Sequence, residues 1–535
     1  MRTCPLADLP SELLLHLLSF LPLRSLLALS LTSHSFHSLI ESHSLPHFAL
    51  HRLNYSPSTL KHIHDNSHWT WGRKALWSEE IERKWSRWEF TGVGFGSWER
   101  SMPCLKLWNV GGGVRGVLIA RGVGLEWWVS LDLRGTMKCV RVVVRGFEEG
   151  HGWNKRGGGT KNALDDITAL ADGANEGEIV LSRVSGTIQK LKVIDMRGGG
   201  RPIVLEEKAR YVLPRFDRQR PGSTAVQALH SNGGLLVSAS TTRLRPPNPK
   251  QLAQTLADEN DSLAHTLSKR AAPKLHQVAL HSLASPWEPP TVLSLATKPW
   301  SVQLSPSSTP TWLAIGQTGT SPLSLIQLDS TGSPTSTPPT PLAFTSKPTS
   351  VYSLTTPSLD CSPFLRPDQT LIAAFFDSTT RIYDLRIPPP PPSSSSLIVS
   401  DWDSSSPSSS SNEIMRLSDP FSDDPSYSVS SGGSTGSYIS VGSARNSAIR
   451  LFDIRSPFSR VMKGITAFGP GGDRSPVYGV SMENSRVWAV TERKGFVSNL
   501  HEEEDWGGGE ERVGYVEHEG EGRGKLRRTG EGKTN

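Results

Sequence analysis

The sequence predicts a small all-α module followed by an all-β propeller, with disordered insertions and a disordered tail. Three observations predict it. Leucines between Leu9 and Ile40 recur at helical spacing. From about residue 104 the chain changes to short strand-like segments that end at Gly, Asn, Asp or Ser turns. A two-strand unit then repeats along the remaining chain.

In the first module Pro10 fits an opening helical turn, where a missing N–H costs nothing. Glu12 lies in the same turn and favours the positive end of the helix dipole. Leu13, Leu17 and Leu21 recur every four residues, flanked by Leu14 and Leu18, until Pro22 ends the run. Leu23, Leu26, Leu27 and Leu31 form a second helical stripe. Thr32 or Ser33 can cap a third helix that carries Phe36, Leu39 and Ile40. So small a unit cannot cover that many leucines, and the surplus predicts a partner surface.

This stretch resembles an F-box, the module that docks a substrate receptor onto the adaptor subunit of a cullin-RING ubiquitin ligase. The matching positions are Leu9-Pro10, Glu12-Leu13, Leu17, Phe20-Leu21, Leu26 and the aromatic Phe36. The family usually has Trp at the Phe36 position and a small pair where Leu31-Thr32 stand; both departures keep the helical pattern. The resemblance implies adaptor contacts from Leu9, Pro10, Glu12, Leu13, Leu17, Phe20, Leu21, Leu26, Leu27 and Phe36. Two other readings compete. A signal peptide or membrane anchor is opposed by Asp8, Glu12, Arg24 and two prolines, with only Arg2 as a positive start. An ordinary helical hairpin inside a larger core is the second.

The expected boundaries are 5–45 for the F-box, 46–103 for a helical linker, 104–500 for the propeller and 501–535 for the tail. The histidines His43, His47, His51, His62, His64 and His68 repeat with no carboxylate or cysteine spacing. They read as a solvated linker, and no metal is expected. Trp77, Ile81, Trp85 and Trp88 then share one helical face, with Glu79 and Glu80 four residues ahead of Arg83 and Lys84. Their period is that of a packing face, so this helix is expected to clamp the first module to the β region and not to stack on nucleic acid.

In the β region, Ile179–Ser182 and Ile188–Leu191 flank a Ser-Gly-Thr turn, and Leu235–Ser238, Trp312–Gly316 and Ser324–Leu328 come after them. The repeated unit is clearest in Ser447-Ala448-Ile449-Arg450-Leu451-Phe452-Asp453 and in Ser378-Thr379-Thr380-Arg381-Ile382-Tyr383-Asp384. Both resemble the third strand of a WD-repeat blade, with Phe or Tyr in place of Trp. Asp166–Leu170, Val226–Leu229 and Val351–Leu354 fit upstream strands. The count is about seven WD-type blades, within the four to eight that close a propeller; a β-sandwich pair is the rival fold. Residues 245–275 and 387–425, the latter with Pro388 to Pro392 and long serine runs, read as insertions, the second as a loop between blades.

Catalytic spellings are few. Gly432-Gly433-Ser434-Thr435-Gly436 matches a nucleophile elbow, but it comes after a serine-rich loop and leads into a strand instead of a helix. Gly532-Lys533-Thr534 has Arg527 where a phosphate loop needs its first glycine. Asp165-Asp166 and Asp423-Asp424 read as turn residues. Arg381 and Arg450 are the candidates for holding an anionic target, since guanidinium groups bind phosphate bidentately; as structural residues they would be solvent-side.

Composition predicts a chain of two or three domains that is packed only in part. Of 535 residues 36% are hydrophobic, and the net charge of +6 is modest for that length, so nucleic acid is not indicated. The four cysteines are scattered and form no CxxC, which suits a reducing compartment, cytoplasmic or nuclear. The combined resemblance, an F-box with a WD-type propeller, implies a non-catalytic substrate receptor. It would bind the ligase adaptor and cullin scaffold through the F-box and an unknown target protein on the propeller, with no cofactor and no membrane. A propeller scaffold in a non-ligase complex is the alternative.

Overall fold

The leucine pattern at the start of the chain folds as three short helices. The computed structural model describes residues 9–48, 70–87, 91–97, most of 102–499 and the strands at 515–517 and 525–527. The longer breaks fall at 146–165, 196–202, 214–223, 244–273, 359–364, 388–411, 456–463 and 469–473. α1 (Ser11–Leu18) starts directly after Pro10, and α2 (Leu23–Ser30) directly after Pro22. α3 (His34–Leu39) is capped by Ser33, whose Oγ accepts the Phe36 N–H at 3.2 Å. The chain widens into one π turn at Ile40–Ser44 before α4 (Leu45–His47).

α5 (Trp71–Arg87) is the tryptophan helix. Its first turn is capped from a distance: Glu41 Oε1 accepts the Trp71 N–H at 2.6 Å and the Gly72 N–H at 3.4 Å. Its first half closes the helical module, where Ala75, Trp71 and Trp77 pack against Leu14, Leu18, Leu23, Leu26 and Ile40. Its second half enters the β domain, where Ile81 and Trp85 pack among Tyr438, Ile449, Leu451, Val480 and Met482. Arg83 forks onto Glu80 at 2.5 and 3.1 Å, one position nearer than the expected Glu79. Trp88 lies outside the described residues.

The described strands of the β domain group into seven four-stranded antiparallel blades, and a few cross-blade pairings join two pairs of blades into wider sheets. Blade 1 holds β2 (Cys104–Gly111), β3 (Val114–Arg121), β4 (Gly124–Leu133) and β5 (Thr136–Arg145). Blade 2 holds β6 (Ile167–Asp172) to β9 (Ile203–Tyr211), and blade 3 holds β10 (Thr224–Asn232) to β13 (Thr291–Leu295). Blade 4 runs from β14 (Pro299–Leu304) to β17 (Thr340–Ala343), and blade 5 from β18 (Thr349–Thr355) to β21 (Glu413–Leu417). Blade 6 is β22 (Ser426–Gly432), β23 (Tyr438–Ser443), β24 (Ala448–Asp453) and β25 (Gly464–Phe468).

Blade 7 has only three strands from its own stretch, β26 (Val477–Met482), β27 (Arg486–Thr491) and β28 (Lys494–Asn499). Its fourth is β1 (Thr91–Ser97), which pairs antiparallel with β28 from Thr91↔Asn499 to Ser97↔Lys494. Residues 91–97 fall within the helical linker that the sequence predicts; they are instead the strand that ties the front of the β array to its end. The first strands β2, β6, β10, β14, β18, β22 and β26 pack in that order, and β26 returns to β2. Trp488, Val490 and Val497 of blade 7 pack with Val117, Ile119 and Trp128 of blade 1 and complete the circle. The described strands form a seven-bladed β-propeller.

The repeated units sit at equivalent places. Ile382-Tyr383-Asp384 is in β20 (Thr380–Asp384), and Leu451-Phe452-Asp453 is in β24, each the third strand of its blade. Of the insertion at 387–425, β21 is part of blade 5 and pairs with β20, so the proline–serine segment lies within a blade and not between two. Its residues 388–411, and 244–273 of the other insertion, lie outside the described residues. The tail is not wholly irregular: β29 (Tyr515–Glu517) pairs with β25, and β30 (Lys525–Arg527) pairs with β29.

Candidate functional site

Packing divides the N-terminal leucines into two sets. Leu14, Leu18, Leu23 and Leu26 are sealed in the helical core with Phe36. Leu13, Leu17 and Phe20 turn out of it and remain 54%, 48% and 67% exposed. They fall at i, i+4 and i+7, so they form one stripe along α1 and the turn after it. Pro10 and Glu12 are exposed at the same end, and Leu9, Leu21 and Leu27 are partly buried. Phe20 sets its ring edge-on against His16 at 5.1 Å between centroids. Leu31, absent from the expected contacts, is the most open large apolar residue here at 85%.

Two expected contact residues change role. Leu26 is 1% exposed and Phe36 is 9% exposed, so both support the stripe from within and offer little to a partner. The reason is geometric. Leu26 points from α2 back at α1, and Phe36 follows the Ser33 cap into the same core. Among the expected set, the surface available to a partner is Pro10, Glu12, Leu13, Leu17 and Phe20, edged by Leu9, Leu21 and Leu27.

The comparisons with known proteins bear on this stretch. Residues 6–48 match the F-box domain. No curated protein matches the chain at a significant level. Among solved structures the chain is similar to the β-propeller domain of Myceliophteria thermophila Cps50 (Swd1), at 11% identity and a TM-score of 0.42. The likeness covers 76% of this chain and 99% of that one.

The F-box is locked onto the propeller by one polar and aromatic knot. Trp85 is fully buried and stacks on Tyr438 at 4.5 Å between centroids. Glu82, one turn earlier, accepts from the Tyr438 hydroxyl at 3.1 Å, from the Ser434 hydroxyl and from the Arg455 guanidinium. Arg455 also forks onto Asp453, with Nε at 2.9 Å. Burial opposes the Arg455 charge, but Asp453 and Glu82 overcome it and hold its pKa above the usual range. Burial, with Glu82 beside it, pushes the Tyr438 phenol up. Gly433 lies at φ +84°, and a Cβ there would stand 2.6 Å from the Tyr438 ring. Only glycine fits this turn with the aromatic stack in place.

Glu82 carried no sequence signal of its own, because its partners lie more than 350 residues away. Ser434, the residue of the elbow spelling, is fully buried in the turn between β22 and β23 with its hydroxyl on Glu82. It is a junction residue, and its Oγ does not face solvent.

Arg381 and Arg450 do not form a target-binding pair. They are 5% and 3% exposed, so they are neither solvent-side nor open to a ligand. Arg381 lies over the Phe375 ring at 4.1 Å, donates to Thr379 Oγ1 at 3.0 Å and pairs with the Asp377 carboxylate. Arg450 donates to the Asp424 carbonyl at 2.8 Å and to Ser422 Oγ at 2.9 Å, with Asp419 at 3.6 Å. Burial holds its pKa below the usual value in spite of these acids. A buried guanidinium needs its own counter-charges, and the turns at 377 and 419–424 supply them.

Among the described residues no three His, Cys, Asp or Glu side chains converge as a metal site. His51, His62, His64 and His68 lie outside those residues. No helix of the described chain is long and apolar enough to cross a membrane.

Proposed function

We propose that this protein is a non-catalytic substrate receptor of an SCF-type ubiquitin ligase. The F-box holds the adaptor, and through it the cullin scaffold, while the propeller presents a target protein. One observation carries the reading: a stripe of Leu13, Leu17 and Phe20 stays open in the segment that matches the F-box domain, although that segment has a complete core without it. Apolar side chains left out of a finished core favour a partner that covers them. The rigid junction through Trp85, Tyr438 and Glu82 supports the same reading, because a receptor must hold its target at a defined distance from the conjugating enzyme.

The test is co-purification of adaptor with the full chain carrying Leu13→Ser, Leu17→Ser and Phe20→Ser. Covering each half-exposed side chain is worth roughly 1 kcal/mol, so their joint loss weakens adaptor binding roughly a hundredfold. Undiminished adaptor binding by a folded triple variant overturns the proposal. An intact protein that never captures adaptor favours a scaffold in a non-ligase complex.

A further inference from the structure

The two connections at one end of blade 4 are crowded with Ser-Pro and Thr-Pro pairs. Ser305-Pro306 and Thr309-Pro310 lie between β14 and β15 (Trp312–Gly319), and Ser333-Pro334 and Thr337-Pro338 lie between β16 (Leu323–Gln327) and β17. A hydroxyl followed by proline suits phosphoryl transfer by a proline-directed kinase, provided the chain around it can enter the kinase cleft. The fold separates the four sites on that point.

Three of them are held. Ser305 is fully buried, and its Oγ accepts the Thr311 N–H at 2.8 Å. Thr309 is exposed, but its carbonyl accepts from the Ser307 hydroxyl at 2.6 Å, and Pro310 is buried against Gly233 of blade 3. Ser333 is half-buried; its N–H donates to Asp329 Oδ1 at 3.0 Å, and Pro334 bridges to Leu328.

Thr337 is different. Ser336, Thr337, Pro338 and Pro339 are all exposed. The Thr335 N–H donates to the Gln327 carbonyl at 2.9 Å, and Thr340 pairs with Leu325. Between those two anchors no backbone hydrogen bond holds the chain among the described residues. The Thr337 hydroxyl meets the Thr335 hydroxyl, a neighbour on the same loop. A residue before proline favours extended backbone, which applies to Thr337 and again to Pro338. The acceptor and the residue after it can therefore be laid out along a cleft without breaking a strand.

The flanking sequence points to the class of kinase. No Lys or Arg lies between Asp329 and Thr345, and Asp329 is the sole acid there. A kinase that reads charge finds none beside Thr337, so proline is the available cue. Proline has no N–H, so it enters an apolar pocket without leaving a donor unpaired, whereas any other residue would bury one.

The acceptor is on the F-box face. First-to-second and third-to-fourth connections of an antiparallel blade share one end. The β16–β17 connection is thus at the same end as the β22–β23 turn, where Ser434 donates to Glu82 of α5.

We propose that Thr337 is a phosphoacceptor for a proline-directed serine/threonine kinase. The Thr337 Oγ attacks the γ-phosphorus of Mg-ATP, the bond from that phosphorus to the β,γ-bridging oxygen breaks, and ADP leaves. The hydroxyl proton passes to the catalytic carboxylate of the kinase. The product adds a charge of about −1.5 to −2 to the F-box face at neutral pH. The site stands whether or not the F-box binds an adaptor.

The experiment incubates the folded full-length protein with Mg-ATP and, in separate arms, a cyclin-dependent kinase, a mitogen-activated kinase and a basophilic kinase. Phosphate is mapped by mass spectrometry over time, and a peptide spanning 300–313 is labelled in parallel. At least one proline-directed kinase should label Thr337 in the folded protein roughly tenfold or more ahead of Ser305 and Thr309. The free 300–313 peptide should take phosphate at Thr309, because the fold no longer holds it. Pro338→Ala should slow labelling of Thr337 roughly tenfold or more, and Thr337→Ala should abolish it, while Thr309→Ala leaves it unchanged. Circular dichroism and thermal melting establish that each variant is folded. No label on Thr337 from either proline-directed kinase overturns the proposal. So does labelling of Ser305 or Thr309 in the folded protein at the Thr337 rate, an equal rate with the basophilic kinase, or a Pro338→Ala protein labelled as fast as the parent.

Discussion

Trp85→Ala tests whether the F-box and the propeller form one rigid unit. The indole is fully buried between Ile81, Tyr438 and the blade 6 and 7 side chains. Burying roughly 200 Å² of apolar surface at about 25 cal/mol per Å² is worth about 5 kcal/mol. The measured range for such truncations is about 3–5 kcal/mol, because the cavity partly collapses. The ring stack on Tyr438 adds about 1 kcal/mol to what is lost. That loss falls on the contact by which α5 is docked, so α5 should lift from the propeller before the blades melt. Differential scanning calorimetry should then resolve an early transition, and small-angle scattering should give a larger radius of gyration than the parent protein. Glu82→Gln, which keeps the helix but removes the negative charge that the Arg455 guanidinium and the Tyr438 hydroxyl donate to, should lie between the two. A Trp85→Ala protein with one parent-like melt and an unchanged radius of gyration would refute the reasoning.

The same contacts set four further outcomes. Leu26→Ala in the F-box core should cost about 2–5 kcal/mol of stability, whereas Leu31→Ala at an exposed site should stay within about 0.5 kcal/mol; chemical denaturation compares them. Gly433→Ala should lower the melting temperature, because φ +84° costs an L-residue roughly 1–2 kcal/mol even before its Cβ meets the Tyr438 ring. Deleting residues 1–97 removes β1 and leaves β28 an open edge, so that protein should bind more hydrophobic dye than the protein lacking 1–69, which keeps β1 on β28. Acid should destabilise the propeller early. Burial lowers His281 to about 4, and burial with Lys106 lowers His230 to about 3, from an ordinary 6.5. Both are bases that the fold keeps neutral, so the unfolded chain takes up their protons first as pH falls below 6.5. Stability present above that pH should drop by about 1.4 kcal/mol per pH unit for each histidine until the folded pKa is reached. His281→Gln should remove one histidine's share of that slope between pH 6.5 and about 4, as read from denaturation midpoints against pH.

What could be read from the chain alone was set by neighbours in sequence. Pro10, Pro22 and the Ser33 cap limit the first three helices, and each acts within one helical turn. The Ile-x-Leu-aromatic-Asp pattern marks β20 and β24 because side chains alternate along a strand: Tyr383 and Phe452 go inward while each Asp meets an arginine two residues on. The surplus of leucines in the first module comes from a simple comparison of side chains with available volume. Which leucines stay outside does not, since that depends on how α2, α3 and α5 pack on α1.

Tertiary structure alone decided the rest. β1 finds β28 about 400 positions away, and nothing local in Thr91–Ser97 distinguishes it from a linker. Arg381 and Arg450 look like open cations until the turns around Asp377 and Asp419 fold over them. Trp300, Tyr352, Tyr427 and Tyr478 meet across blade boundaries, each at a one-residue slip in strand register that only the pairing of its blade sets. Local backbone preference and hydrophobic period choose the elements; register and ring closure choose which side chains meet, because they are settled by pairings between strands far apart in the chain.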